Sequence, residues 1–142
     1  MALVTRADRY RVLGFHSLST NFVTSATHTT FQDEGLTASV TYQGNRYLRV
    51  SWNGGVYAGA GAQRVTIKLL RGSTTLFTWV SPTVVNTLVT EAYGFACVFA
   101  GPATGATETF KLQIAALTSN TAVQSSGSGS PRTLLIEDLG PQ

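Results

Sequence analysis

The chain has 142 residues and a mass of 15.1 kDa, the size of one domain, long enough to bury a core without disulfide or metal staples. Hydrophobic residues make up 43%, which excludes intrinsic disorder, and charged residues only 12%, about half the usual share. The net charge of +3 comes from scattered residues clustering only at Arg6, Arg9 and Arg11, so a concentrated nucleic-acid-binding face is not expected.

Met1 to Tyr10 carries Arg6, Asp8 and Arg9 and no apolar stretch of leader length, so no secretory signal is expected, and no run is long enough to span a bilayer as a helix. Residues 1–20 read as an N-terminal arm and connector: Arg6 to Arg11 is too charged for a core, although Arg9 to Leu13 has the composition of an edge strand. Residues 21–142 read as the folded domain. Leu36, Ala38, Val40 and Tyr42 alternate with Thr37, Ser39 and Thr41, the period of a half-buried strand. Gly44-Asn45 then predicts a tight primed turn, with Gly supplying positive φ. Tyr47 to Tyr57 puts Leu48, Val50 and Trp52 on one face, with a turn or bulge expected at Asn53-Gly54-Gly55.

Val65, Ile67 and Leu69 form the next strand, which stops at Arg71-Gly72-Ser73, and Thr74 to Val80 the one after, closed by Ser81-Pro82. A short apolar strand is expected at Val84 to Val89. Tyr93, Phe95, Cys97 and Phe99 make an aromatic stripe at period two, and Phe110, Leu112, Ile114 and Ala116 another. Thr121 to Gln124 is a weaker strand signal, and Gly127 to Ser130 a loop tip facing solvent. Thr133 to Ile136 is the last strand, with Glu137 to Gln142 as a tail. These elements predict an all-β fold, a single antiparallel β-sandwich of about nine or ten strands, jelly-roll-like because the count exceeds seven and no Cys–Trp–Cys framework is present. The inward set is Leu36, Ala38, Val40, Leu48, Val50, Trp52, Val65, Ile67, Leu69, Phe95, Cys97, Phe99, Phe110, Leu112 and Ile114.

The residues offer no catalytic constellation. His16 and His28 lack the paired ligand spacing of a zinc site, and no Gly-x-Ser-x-Gly elbow is present. Cys97 falls in the aromatic stripe and reads as a small buried hydrophobe. Asp33-Glu34 and Glu137-Asp138 are adjacent on strands and therefore point to opposite faces, with Asp33-Glu34 before Gly35 reading as a turn. No enzyme, catalytic residue, metal or other cofactor is expected. Trp52, Tyr57 and Trp79, with Tyr93, are the candidates for stacking on a sugar if the sandwich binds a carbohydrate or host receptor, the alternative function.

The ending Pro131-Arg-Thr-Leu-Leu-Ile-Glu-Asp-Leu-Gly-Pro141 resembles the last strand and tail of small virion proteins of tailed bacteriophages, those of actinobacterial hosts especially. Thr29-Thr30-Phe31, the run Leu36 to Thr41, the hairpin Gly44-Asn45-Arg46-Tyr47-Leu48-Arg49-Val50 and Thr104 to Leu112 carry the likeness through the body, so that it covers residues 20 to 141. The resemblance implies a jelly-roll-like, non-enzymatic minor tail protein or capsid decoration protein, located in the virion and made in the host cytoplasm. It implies a symmetric homo-oligomer, a trimer favoured, on the particle exterior, in contact with major capsid or tail proteins, and without membrane or direct nucleic-acid partners. A host surface glycan is the partner under the alternative function. With Lys68 and Lys111 the only lysines and outward positions mostly Thr and Ser, the surface suits burial against identical subunits or a shell, where charge would be costly to desolvate. Arg6, Arg9 and Arg11 are the expected subunit or virion contacts.

Overall fold

The computed structural model describes residues 11–24, 30–58, 63–84, 91–117, 123–126 and 131–142. They form ten strands: β1 (Arg11–Leu18), β2 (Phe22–Val23), β3 (Gln32–Tyr42), β4 (Arg46–Ala58), β5 (Gln63–Arg71), β6 (Thr74–Val84), β7 (Glu91–Ala100), β8 (Ala106–Ala116), β9 (Val123–Ser126) and β10 (Arg132–Pro141). Every pairing is antiparallel. One sheet runs β1-β10-β4-β7, and the short strands β9 and β2 extend it beyond the end of β10 along the same edge of β4. The other sheet runs β3-β8-β5-β6. The chain passes repeatedly between the sheets, which folds two Greek keys into a jelly roll.

The alternation of side chains drives this arrangement. Leu36, Val40, Leu48, Val50, Trp52, Val65, Ile67, Leu69, Phe110, Leu112 and Ile114 are all buried, and Ala38, Phe95, Cys97 and Phe99 are half-buried against them. The expected strand register therefore holds along β3, β4, β5, β7 and β8. Leu134 and Ile136 of β10 complete the core.

Several local expectations are corrected, among them the close of β6 at Ser81-Pro82, since that strand runs on to Val84. Residues 11–18 of the stretch read as arm and connector form β1, paired with β10 from Arg11 opposite Asp138 to Leu18 opposite Arg132; residues 1–10 lie outside the described residues. The stretch read as a tail continues β10 to Pro141, because Glu137 and Asp138 find cationic partners on β4. Asn53-Gly54-Gly55 does not interrupt β4, whose pairing with β7 runs without a shift from Tyr47 to Val56. Asp33-Glu34-Gly35 is a bulge inside β3 in place of a turn: the register with β8 shifts between Asp33 and Thr37, and Gly35 takes φ 92°. The expected strand at Val84 to Val89 and the loop tip at Gly127 to Ser130 fall largely or wholly outside the described residues. Strand β6 continues through Pro82, which an edge strand tolerates, and the Ser81 hydroxyl accepts the Val65 N–H at 2.8 Å in its place on the ladder.

The primed hairpin turn expected at Gly44-Asn45 does not form: these residues are a bend that carries the chain from β3 of one sheet to β4 of the other, and the positive φ belongs to Asn45, at 54°. Gly44 is required for a different reason: a Cβ there would lie 2.2 Å from the Ala103 carbonyl oxygen of the β7–β8 connection. Gly44→Ala should therefore cost about 1–3 kcal/mol by forcing the two connections apart, measured as a lower urea midpoint with unchanged slope.

Candidate assembly surface

The two sheets present opposite kinds of outer face. On the β3-β8-β5-β6 sheet, Thr37, Ser39, Thr41, Thr107 and Thr109 are exposed hydroxyls, and Ser39 with Thr109 (2.6 Å) and Thr41 with Thr107 (2.8 Å) bond across the strands. Asp33 extends this polar surface, accepting from Gln113 at 2.7 Å and pairing with Lys111 at 3.1 Å. The Gln113 hydrogen bond above all, with Lys111 behind it, holds the Asp33 carboxyl below its usual range.

The outer face of the β1-β10-β4-β7 sheet is apolar. Val12 (54% exposed), Phe15 (61%), Tyr47 (44%) and Val98 (55%) lie on it, four of the five large exposed hydrophobics among the described residues. Half-buried Leu135 and exposed Ala96 and Ala100 fill the space between them. Among the described residues an ion pair stands on this face, Arg49 Nε to Glu137 Oε2 at 2.6 Å. Glu137 is buried, and that desolvation pushes its carboxyl up.

The expected contact residues divide. Arg11 stands exposed at the start of β1, while Arg6 and Arg9 lie outside the described residues. The stacking expectation fails at Trp52, which is fully buried, its indole N–H directed to Glu34 Oε1 at 3.3 Å. Tyr57 lies near the end of β4, away from Trp79 of β6 in sequence and sheet. Trp79 is half-buried at the edge where β6 and β7 belong to opposite sheets, with Tyr93 at 5.2 Å and Trp52 at 5.9 Å between ring centroids. Phe77 and Phe95 continue this row at 5.1 Å.

His16 does not face a ligand set: its Nδ1 lies 2.8 Å from the Thr37 carbonyl and 3.0 Å from the Thr37 N–H, tying β1 to the β3 bulge. His28 lies outside the described residues. Among the described residues no group of three or more His, Cys, Asp or Glu could hold a metal ion. Cys97 is half-buried, and burial raises its thiol, which disfavours the nucleophilic thiolate.

Two charge clusters escaped the sequence reading. At one, Arg132 is 1% exposed and donates from Nη1 to Glu34 Oε1 (3.1 Å) and the Glu34 carbonyl (3.0 Å), and from Nε (3.1 Å) and Nη2 (2.9 Å) to the Thr20 carbonyl. It fastens the segment after β1 and the β3 bulge to the start of β10. The signal was present in the alternation, since Arg132 shares a face with Leu134 and Ile136. At the other, Arg46 Nε grips both Asp138 oxygens at 2.9 and 3.0 Å, and Asp138 Oδ1 also accepts the Gly140 N–H at 2.9 Å.

Tyr42 is buried and its hydroxyl donates to Glu108. Burial first, and Glu108 second, push its phenol up to about 12. The folded state thus favours the neutral phenol, a contribution present below the ordinary value of about 10 and lost as pH rises through about 12. The stability advantage of the native chain over Tyr42→Phe should shrink across that window, as read by denaturant unfolding at each pH.

No protein-family model matches the chain, and no curated protein matches it in sequence. Among solved structures, it is similar to a chain of infectious bursal disease virus, Gx strain, with a TM-score of 0.51 and 12% identity over 93% of this chain and 37% of that one. A chain of the Gt strain gives a TM-score of 0.51 and 15% identity over 95% and 39%. This chain thus spans well under half the length of either. At such identity the likeness is one of fold, and the fold is the jelly roll found in chains of a virus structure.

Proposed function

We propose that this chain is a non-enzymatic structural protein of a virus particle, in its finer form a minor tail protein or capsid decoration protein of a tailed bacteriophage. The observation that carries this reading is the outer face of the β1-β10-β4-β7 sheet, where four of the five large exposed hydrophobics among the described residues gather. The low charge content and the jelly-roll topology support it, as does the resemblance of residues 20 to 141 to phage virion proteins. The protein works as a homo-oligomer on the particle exterior, with Arg6, Arg9 and Arg11 gripping carboxylates or carbonyls of a neighbouring subunit or another virion protein. Quantitative mass spectrometry of purified particles tests this: many copies per particle are expected, and absence from particles overturns it. A chain lacking residues 1–10 should attach less tightly. Unchanged attachment would assign the anchoring to the sandwich alone.

A second reading, recognition of a host surface glycan, is favoured by the half-buried Trp79 and Tyr93 at the β6–β7 edge. Its test is glycan binding that falls on Trp79→Ala; binding unaffected by that change would remove it.

A further inference from the structure

We infer that the outer face of the β1-β10-β4-β7 sheet is covered by the same face of a second copy, related by a two-fold axis lying in the interface and running along the strands between β10 and β4. The inference rests on the assembly reading only in taking a copy of this chain as the occupant. The cross-strand rows are self-complementary about this axis. Residues opposite one another in the ladders share a face, and one such row is Phe15, Leu135, Ser51, Ala96. Its two large side chains stand on β1 and β10, its two small ones on β4 and β7. The axis places β1 over β7 of the second copy and β10 over β4, so Phe15 meets Ala96 and Leu135 meets Ser51. Large side chains therefore meet small ones on both sides of the axis.

The next row is Val12, Glu137, Arg49, Val98. The same operation sets Glu137 of each copy over Arg49 of the other and Val12 over Val98. The Arg49–Glu137 pair of each copy becomes part of a four-charge arrangement with alternating sign, in place of two like charges meeting. The third row, Ser17, Thr133, Asn53, Gly94, is small and polar and leaves no bulky group to hold the sheets apart. A nucleic acid or an anionic membrane would require surplus positive charge, whereas here Arg49 is balanced by Glu137. The hydroxyl-rich face of the other sheet stays in water.

Four strands about 4.8 Å apart and seven residues deep give a flat footprint of about 400 Å² per copy, before side-chain relief is added. Two copies together then bury about 800 Å² of flat footprint, below the roughly 1,200 Å² of stable interfaces, so the contact is a weak one and the dimer should be concentration-dependent. Two aligned sheets crossing at about 30° keep the central rows in contact while their corners lift.

Sedimentation of the full chain over a concentration series tests the contact. The expected species is a dimer of the 15.1 kDa chain in exchange with monomer. Phe15→Ser, at a site 61% exposed and so harmless to the fold, and Ala96→Arg should each weaken it at least about tenfold. Thr78→Arg, on the exposed side of the other sheet, should leave it unchanged. A wild-type chain that stays monomeric up to about 100 µM overturns the inference. So does a trimer, or an oligomer indifferent to both face substitutions; either of these would leave the assembly reading standing and this contact refuted.

Discussion

Arg132→Met should lower the free energy of unfolding by about 3–5 kcal/mol, because it leaves the carboxylate of Glu34 buried with its cation removed. The loss extends beyond one pair: the Thr20 carbonyl gives up two donors, and the segment after β1 loses its attachment to β10. Urea unfolding reads this as a lower midpoint, a large part of the roughly 5–15 kcal/mol that holds a domain folded. The double variant Arg132→Met, Glu34→Leu should recover most of the deficit, since the desolvation cost of both charges goes with them. A remainder of about 1–2 kcal/mol is expected because the Thr20 carbonyl still lacks its two donors and the Trp52 N–H its acceptor. A single variant that costs under about 1 kcal/mol would mean that the pair contributes little to the native state.

Phe110→Ala should cost about 3–5 kcal/mol. Phe110 is fully buried on β8, opposite Ala38 of β3 and Arg71 of β5, and its ring meets Phe99 of the other sheet at 5.7 Å. Truncation empties a volume that two sheets line, and neither can collapse into it without breaking ladder bonds. Val98→Ala, one residue from Phe99 but on the outer face, should change stability of the monomer by no more than about 0.5 kcal/mol. The contrast between these variants reports the sheet register directly.

The inward residues were legible because they follow one rule, alternation, which needs only neighbours in sequence. Leu36 and Val40, Leu48 to Trp52, and Phe110 to Ile114 all obey it. Elements whose placement depends on distant partners were not legible. Residues 11–18 read as arm and connector because Arg6 to Arg11 is too charged for a core, although an edge strand over Arg9 to Leu13 stays open; β10 recruits Arg11–Leu18 as the edge strand, using backbone bonds that composition does not encode. Glu137 and Asp138 looked like a tail until Arg49 and Arg46, some ninety residues earlier, neutralise them. Glu34 is turned inward by the bulge at Gly35, and its partner Arg132 is 98 residues away. The candidate surface is legible only as a sum of strands: Phe15, Leu135, Ser51 and Ala96 become one row through three ladders, none of which is local in sequence.

The proposed assembly surface is one face of the sandwich and not the other. A reconstruction of the intact particle with this protein's density resolved tests it most directly. The predicted result is a symmetric set of copies on the exterior, with Val12, Phe15, Tyr47 and Val98 covered and the Thr37–Thr41 and Thr107–Thr109 hydroxyls in water. Copies that leave the β1-β10-β4-β7 face open to solvent, while the hydroxyl face makes the contacts, would contradict it.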